Sequence, residues 1–482
     1  MKATGKKINN VYLLTAICLF IFTVVGCDCN QTPPDYHKYI KTGEGHIPAD
    51  TTQQIVVWRT PNSDPSYLNK WLDSIHEKCG DFNITVFCGS CDSSLMLLTG
   101  NGIRTYISGT GTGKGGGTTC TQNCPPSGDG DTIYWAVNSA VLFNDPEDST
   151  YVDTLPTVDQ GHFPNGPITV AVFDTGIDTI ELHNKLYIGT GQSCLDPAAT
   201  NGWNFPASNN TVFDDYRAPK KSEHGAIVSR LIAEQVNHYA LNDVRILPVK
   251  IHNERGESDL FSVLCGFAYA KERGAKIINA SFGYYAPKAP TGVTDPGALL
   301  LKKYIEYYLT NHVVSTNSTI LLVAAAGNTT PGATNPERNL DNISFYPASL
   351  ASELSNVIAV TTVDDGTLSV SPHQNFSPNV VDVGVNTDVI RRDPVNGDHY
   401  DFFNPRIPGA VSEGSSFATP IVTGIICSHY TQITTSLTAN GLPFDKENIL
   451  NFLLHSPIGH VTNLNNQIKK GVMLNNARVS TR

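Results

Sequence analysis

The chain has 482 residues, with 33 Lys or Arg against 44 Asp or Glu, a formal net charge of −11. Such an acidic chain lacks the basic face that replaces phosphate counterions, which argues against nucleic-acid binding. At 40% hydrophobic and 16% charged residues it is too apolar for a disordered chain and long enough for a large core, and its single membrane-grade apolar segment excludes a polytopic transporter.

That segment comes first. Lys2, Lys6 and Lys7 precede an apolar run from Val11 to Val25, and Gly26-Cys27 follows. This order of charge, apolar run and small residue before a cysteine resembles a bacterial lipobox, in which residues 1–26 are removed as a signal peptide and Cys27 is lipidated. An uncleaved signal-anchor helix is the alternative. Residues 27–53 are polar, with Pro33-Pro34 in an uncharged stretch, as suits a solvated tether. The expectation is a bacterial membrane-anchored lipoprotein whose folded part faces the periplasm or the cell exterior.

Residues 54–107 read as a small α/β unit. Gln54 to Arg59, Asn83 to Cys88 and Leu95 to Leu98 have strand character, and Leu68, Trp71, Leu72 and Ile75 fall at helical spacing. Residues 108–132 are dominated by Gly, Thr, Ser and Pro and read as a flexible linker. Ile133 to Phe143, a strand or a lead-in, begins the main domain, 133–482. Cys88-Gly-Ser-Cys91 and Cys120-Thr-Gln-Asn-Cys124 suit either disulfides or a tetrahedral thiolate metal site, and an oxidising compartment favours disulfides. Cys194, Cys265 and Cys427 read as isolated buried thiols.

From residue 166 apolar strands alternate with amphipathic helices. The strands are Ile168 to Phe173, Val244 to Ile251, Lys276 to Phe282, Ile320 to Ala326 and Val357 to Val363. The helices are His224 to Tyr239, Leu260 to Arg273, Leu299 to Leu309 and Ser416 to Thr434. Continuous apolar strands separated by helices predict an α/β fold, a doubly wound, mostly parallel sheet covered on both faces. Sites in such sheets form at the carboxyl ends of the strands.

Three stretches stand at such ends. A strand runs into Asp174-Thr-Gly-Ile-Asp178, Glu223-His224-Gly opens a helix, and Gly414-Ser-Ser416-Phe-Ala-Thr-Pro420 opens another. Acyl-bond hydrolysis needs a nucleophile, a base for its proton and a carboxylate to orient the base. A serine at a helix start also offers its unpaired backbone N–H to a developing oxyanion. Pro420 is expected in the first turn, where a missing N–H is tolerated. Asp178 reads as a turn residue.

In the chain order Asp, His, Ser these stretches resemble the subtilisin-like serine proteases, the subtilases. Residues 244–251 (VRILPVKI), 277–283 (IINASFG), 322–328 (LVAAAGN), 345–348 (FYPA) and 357–363 also fit that family's pattern in order. The resemblance implies Ser416 as nucleophile (Ser415 being the neighbouring candidate), His224 as base and then acid, and Asp174 orienting it. Asn328 would complete the oxyanion hole with the Ser416 N–H. Ser281, Phe282 and Gly283 would pair with an extended peptide or protein substrate, and Ala325 and Gly327 would line the specificity pocket. Residues 54–107 take the place of a subtilase propeptide.

The family's chemistry requires no cofactor. Structural calcium is common, but His183-Asn-Lys185 offers a poor ligand where one such ion is sought, and no metal ligand is assigned. The chain departs from the family pattern with Glu223 before His224, Gly225-Ala-Ile-Val after it, and residues 381–387 (VDVGVNT). A carboxylate facing His224 would raise its pKa. The expectation is an extracytoplasmic serine endopeptidase; the alternative is a catalytically silent, peptide-binding lipoprotein on the same fold. Oligomeric state is left open.

Overall fold

The computed structural model describes residues 54–60, 72, 83–99, 133–138, 140–142, 158 and 161–477, except 215–222, 254–255, 287–294, 311–318, 330–331, 365–368 and 396. Cys27, the signal segment, the tether, the linker, Cys120 and Cys124 lie outside the described residues, as does the helix expected around Leu68 apart from residue 72. No helix among the described residues is long and apolar enough to cross a membrane.

Strands β1 (Gln54–Arg59), β2 (Asn83–Cys88), β3 (Asp92–Thr99) and β4 (Ile133–Val137) form an antiparallel sheet in the order β2-β3-β1-β4. Ile55, Val56, Val57 and Trp58 are all buried, so β1 is covered on both faces. Ile133 to Val137, which the sequence groups with the main domain, completes the sheet of the amino-terminal unit. Its alternation suits a half-buried edge strand of either body, and only the ladder to β1 decides between them.

The main sheet contains β5 (Asn165–Asp174), β6 (Asn242–Lys250), β7 (Ile277–Ala280), β8 (Leu321–Ala325), β9 (Val357–Asp364), β10 (Val383–Asn386) and β13 (Val472–Leu474). They run parallel in the order β13-β10-β9-β8-β7-β5-β6. Trp203–Asn204 and the antiparallel Gly459–Val461 flank the two sides. A smaller antiparallel sheet, Val389–Arg391 with β11 (His399–Phe403) and β12 (Val411–Glu413), leads into the long carboxy-terminal helix.

One face of the main sheet packs on α1 (His224–Tyr239), α4 (Ser415–Ala439) and α5 (Lys446–Leu454). The other packs on α2 (Leu260–Glu272) and α3 (Pro296–Tyr308), with the amino-terminal sheet laid over them. Asp259, Asp295 and Asp445 each accept a hydrogen bond from a backbone N–H of the first helical turn at 2.8–2.9 Å, satisfying donors that a helix start leaves orphaned. Helix α4 is apolar nearly all round and buried for most of its length, as expected of a helix inside a large domain. Its Gly424 lets α1 approach: a Cβ there would meet the Ile232 carbonyl oxygen at 2.8 Å.

Two disulfides join the amino-terminal unit to the main body, Cys88–Cys265 and Cys91–Cys194. Cys194 and Cys265 are therefore not isolated thiols. The partners lie 103 and 177 residues apart, too far for local spacing to pair them. Cys427 is free and buried. Around the unit's Trp58, the rings of Tyr134, Tyr304 and Tyr307 lie at centroid distances of 5.1–5.7 Å. The Tyr304 hydroxyl donates to the buried Asp92 at 3.1 Å.

Candidate active site

Strand β5 ends at Asp174, whose carboxylate is fixed by the turn it enters. Its Oδ1 accepts from the Thr175 N–H at 2.8 Å. Both carboxylate oxygens face the His224 Nδ1, at 2.8 and 3.0 Å. His224 is the first residue of α1, and its side chain and that of Asp174 are only 1% and 3% exposed. The Thr175 hydroxyl accepts from the Gly225 N–H at 3.1 Å, so the start of α1 is stitched to the end of β5.

Glu223, the residue before the helix, does not cap it with its side chain. The cap comes from Asp214, which accepts from the Ala226 N–H at 2.8 Å. Burial pushes the Asp214 carboxyl up to about 6, with the charge of Asp174 adding to it and that of Lys250 opposing it. The sequence gives no sign of this residue, because its partner lies 12 positions on, across an unpatterned stretch.

Glu223 itself turns to Arg406. This guanidinium, 2% exposed, bonds Asp178 at 2.7 Å, Glu181 at 2.9 Å and Glu223 at 3.0 Å. Arg230 adds a second cation on Glu181. The charge that stands beside the imidazole in sequence is thus compensated by Arg406 in space. Asp178 performs the turn role its position suggests, accepting from the Ile180 and Glu181 N–H groups at 2.9 Å with its other oxygen on Arg406.

Helix α4 brings the serine pair. Gly414 holds the cap position at φ +139°, in a region that other residues avoid. A Cβ there would lie 3.0 Å from the Asn328 Nδ2 and 3.1 Å from the Ser416 Oγ. The amide nitrogen and the hydroxyl therefore both approach Gly414 closely, at distances that leave little room for a side chain. Phe417 tilts its ring over the His224 imidazole at a centroid distance of 5.0 Å, which sets the first turn of α4 against that ring.

The two serines are distinguished by their bonds. The Ser415 hydroxyl donates to the Asn328 Oδ1 at 3.1 Å and accepts from the Gly327 N–H at 3.0 Å, and the Ser415 N–H also donates to Oδ1 at 3.0 Å. With its oxygen held in this way, the Asn328 amide must present its NH2 end toward the Ser416 side. The Asn328 carbonyl accepts from the Tyr285 hydroxyl at 2.7 Å, and Asn375 donates to that hydroxyl at 2.9 Å.

Pro420 is the sixth residue of α4, inside the helix rather than in its first turn. It has no N–H to give the Ser416 carbonyl, and the Ser281 hydroxyl donates there instead at 2.8 Å. Residues 281–283 lie between β7 and the strand Tyr284–Ala286, outside both ladders. Buried Phe282 packs edge-on against His252, which burial makes a weak base with a pKa lowered to about 3. Ala325 ends β8 and Gly327 follows it, both buried and next to the Ser415 contact.

Where the sequence looks for a calcium ligand, the Lys185 ammonium sits fully buried, 2.7 Å from Asp243 and over the Phe163 ring. A buried ammonium at this point does not fit a cation site.

The protein-family model of the subtilase family matches residues 166–441. The chain is 26% identical over 282 residues to a thermophilic serine proteinase of Bacillus sp. (strain AK1), covering 58% of this chain and 55% of that protein. It is 33% identical over 119 residues to the cell wall-associated protease of Bacillus subtilis (strain 168), covering 24% of this chain and 12% of that protein. The chain thus spans about half, or less, of the length of these curated relatives. Among solved structures, the epidermin leader peptide processing serine protease of Staphylococcus aureus superposes with a TM-score of 0.50 at 16% identity. The match covers 89% of this chain and 99% of that one, and shows a shared fold.

Proposed function

The chain belongs to the subtilase family, and from that premise we propose that it is an extracytoplasmic serine endopeptidase with Ser416 as its nucleophile. The Ser416 hydroxyl attacks the scissile carbonyl while His224 takes its proton. Asp174, bonded to Nδ1, holds the imidazole with Nε2 toward the reaction and stabilises the imidazolium that forms. The Asn328 NH2 and the Ser416 N–H receive the oxyanion. His224 then protonates the leaving amine, and water hydrolyses the acyl-enzyme by the same steps. Residues 281–283, free of the two neighbouring ladders, receive an extended substrate as an added strand, and Ala325 and Gly327 line the pocket beside it.

The single observation that carries this reading is the Asn328 amide. Ser415 fixes its oxygen, and its nitrogen converges with the Ser416 Oγ on Gly414. An amide held with its NH2 end beside a candidate nucleophile is placed to receive a developing oxyanion. Location outside the cytoplasm is supported by the two disulfides and by the cationic, apolar and Gly26-Cys27 order of the amino terminus, with Cys27 as the lipid anchor. The amino-terminal sheet, laid over α2 and α3, acts as a propeptide-like unit.

The test is cleavage of a peptide library by the full chain. Wild type cleaves a subset of peptides, Ser416→Ala cleaves none, and Asn328→Ala lowers kcat by about 10²–10³ with little change in KM. Equal turnover by wild type and Ser416→Ala overturns the assignment.

A further inference from the structure

Away from the serine, three side chains with metal-binding chemistry meet where the smaller sheet joins the main body. His373 follows the short strand Ser369–Val370, His399 opens β11, and Glu413 closes β12. The Glu413 carboxylate lies between the imidazoles, with Oε2 2.6 Å from the His399 Nδ1 and Oε1 3.0 Å from the His373 Nδ1. One donor atom from each residue can be chosen so that all three fall within 4.8 Å of one another. The rings are perpendicular, with centroids 4.5 Å apart.

We propose that His373, His399 and Glu413 bind a divalent transition-metal ion of the zinc class. Two imidazoles and one carboxylate are a nitrogen-rich set that suits zinc and disfavours calcium and magnesium, which take oxygen ligands. Zinc sits about 2 Å from such donors, which places tetrahedral ligand atoms about 3.3 Å apart, so binding requires Glu413 to draw back slightly from the two imidazoles and let the ion in between. The other His399 nitrogen, Nε2, faces the Asp393 carboxylate at 3.7 Å, beyond hydrogen-bond reach but on the side where a metal-bound histidine takes its outer partner. The site has a way in, because the His399 side chain is 23% exposed while that of His373 is 6% exposed. Three protein ligands leave a fourth position for water.

The place of the site gives the ion a consequence. Glu413 directly precedes Gly414, and the His373 carbonyl accepts from the Thr329 N–H at 2.8 Å, one residue after Asn328. The ion would tie the strand that delivers Ser416 to the segment that backs Asn328. Binding itself does not depend on the protease assignment.

The experiment is titration of the chelator-stripped full chain with zinc chloride by calorimetry, with cobalt(II) absorption as a second readout and Tm followed in parallel. One zinc per chain and a rise in Tm are expected. His399→Gln, at a partly exposed position that tolerates the change, should weaken binding at least about tenfold and remove the Tm rise. Glu413→Gln should do the same if it folds. No zinc binding by wild type, or binding of equal strength in His399→Gln, overturns the proposal, as does a Tm rise with calcium and none with zinc. Loss of peptidase activity with zinc binding retained would fault the protease assignment and leave this site standing.

Discussion

Arg406 holds together three carboxylates that the chain supplies from two separate segments. Asp178, Glu181 and Glu223 lie 228, 225 and 183 residues from it, and it is almost wholly buried among them. Replacing one partner of a buried ionic cluster leaves charge uncompensated, a loss of about 3–5 kcal/mol. Arg406→Met should therefore lower the denaturant midpoint by a corresponding amount. A variant as stable as wild type would show that the cluster contributes nothing to stability. The pairing of Asp174 with His224 and the place of Ser416 at a helix start were legible because short motifs carry these residues at strand and helix ends. Arg406, Asp214 and the bonds of Ser415 were not, because each acts on a partner that only folding brings near. The Ser415-Ser416 doublet was a partial signal: it presented both candidates without showing that one hydroxyl is engaged by Asn328.

At the scale of elements, α1 is a helix whose start is capped from outside its own sequence. Burial raises the Asp214 carboxyl from 3.8 to about 6, so the native state retains a proton that the unfolded chain has released. Its contribution to stability is complete below the unfolded value and is lost as pH rises to about 6. Asp214→Asn keeps the oxygen that caps Ala226 and removes the titration. The Tm of the variant should gain on wild type between pH 4 and 6 and hold a constant difference above that; a difference independent of pH would exclude Asp214 as the titrating group. Helix α1 and the parallel strands were legible because their apolar runs are long and uniform. The sheet of Val389–Arg391, β11 and β12 was not, because its strands are short and mix buried with half-exposed residues. The full length of α4 was underestimated, since its last turns carry polar residues on an exposed face.

For the whole molecule, the disulfides change what a cut in the linker would do. Cys88 and Cys91 are bonded to Cys265 and Cys194, and residues 101–132 lie in sequence between β3 and β4, so that a cut there puts the bonded cysteines on separate fragments. In the chain-entropy account, cross-links that close loops of 100 residues or more are each worth about 5 kcal/mol. Limited proteolysis within residues 101–132 should give one band on a non-reducing gel and two on a reducing gel. Fragments that separate without reductant would show that the bridges do not form in solution. With the bridges intact, a cut chain keeps its main body attached to the amino-terminal unit, and through it to any lipid on Cys27. This join was invisible in the sequence, where Cys194 and Cys265 read as isolated thiols and nothing local tied them to Cys91 and Cys88 in the other body.

The most direct measurement is covalent labelling of the folded full chain with a fluorophosphonate, followed by mass mapping of the adduct. Wild type and Ser415→Ala should carry the label on Ser416, the latter more slowly because the Asn328 amide loses one of its two anchors, and Ser416→Ala should carry none. Label on another residue, or equal labelling of Ser416→Ala, would contradict the account.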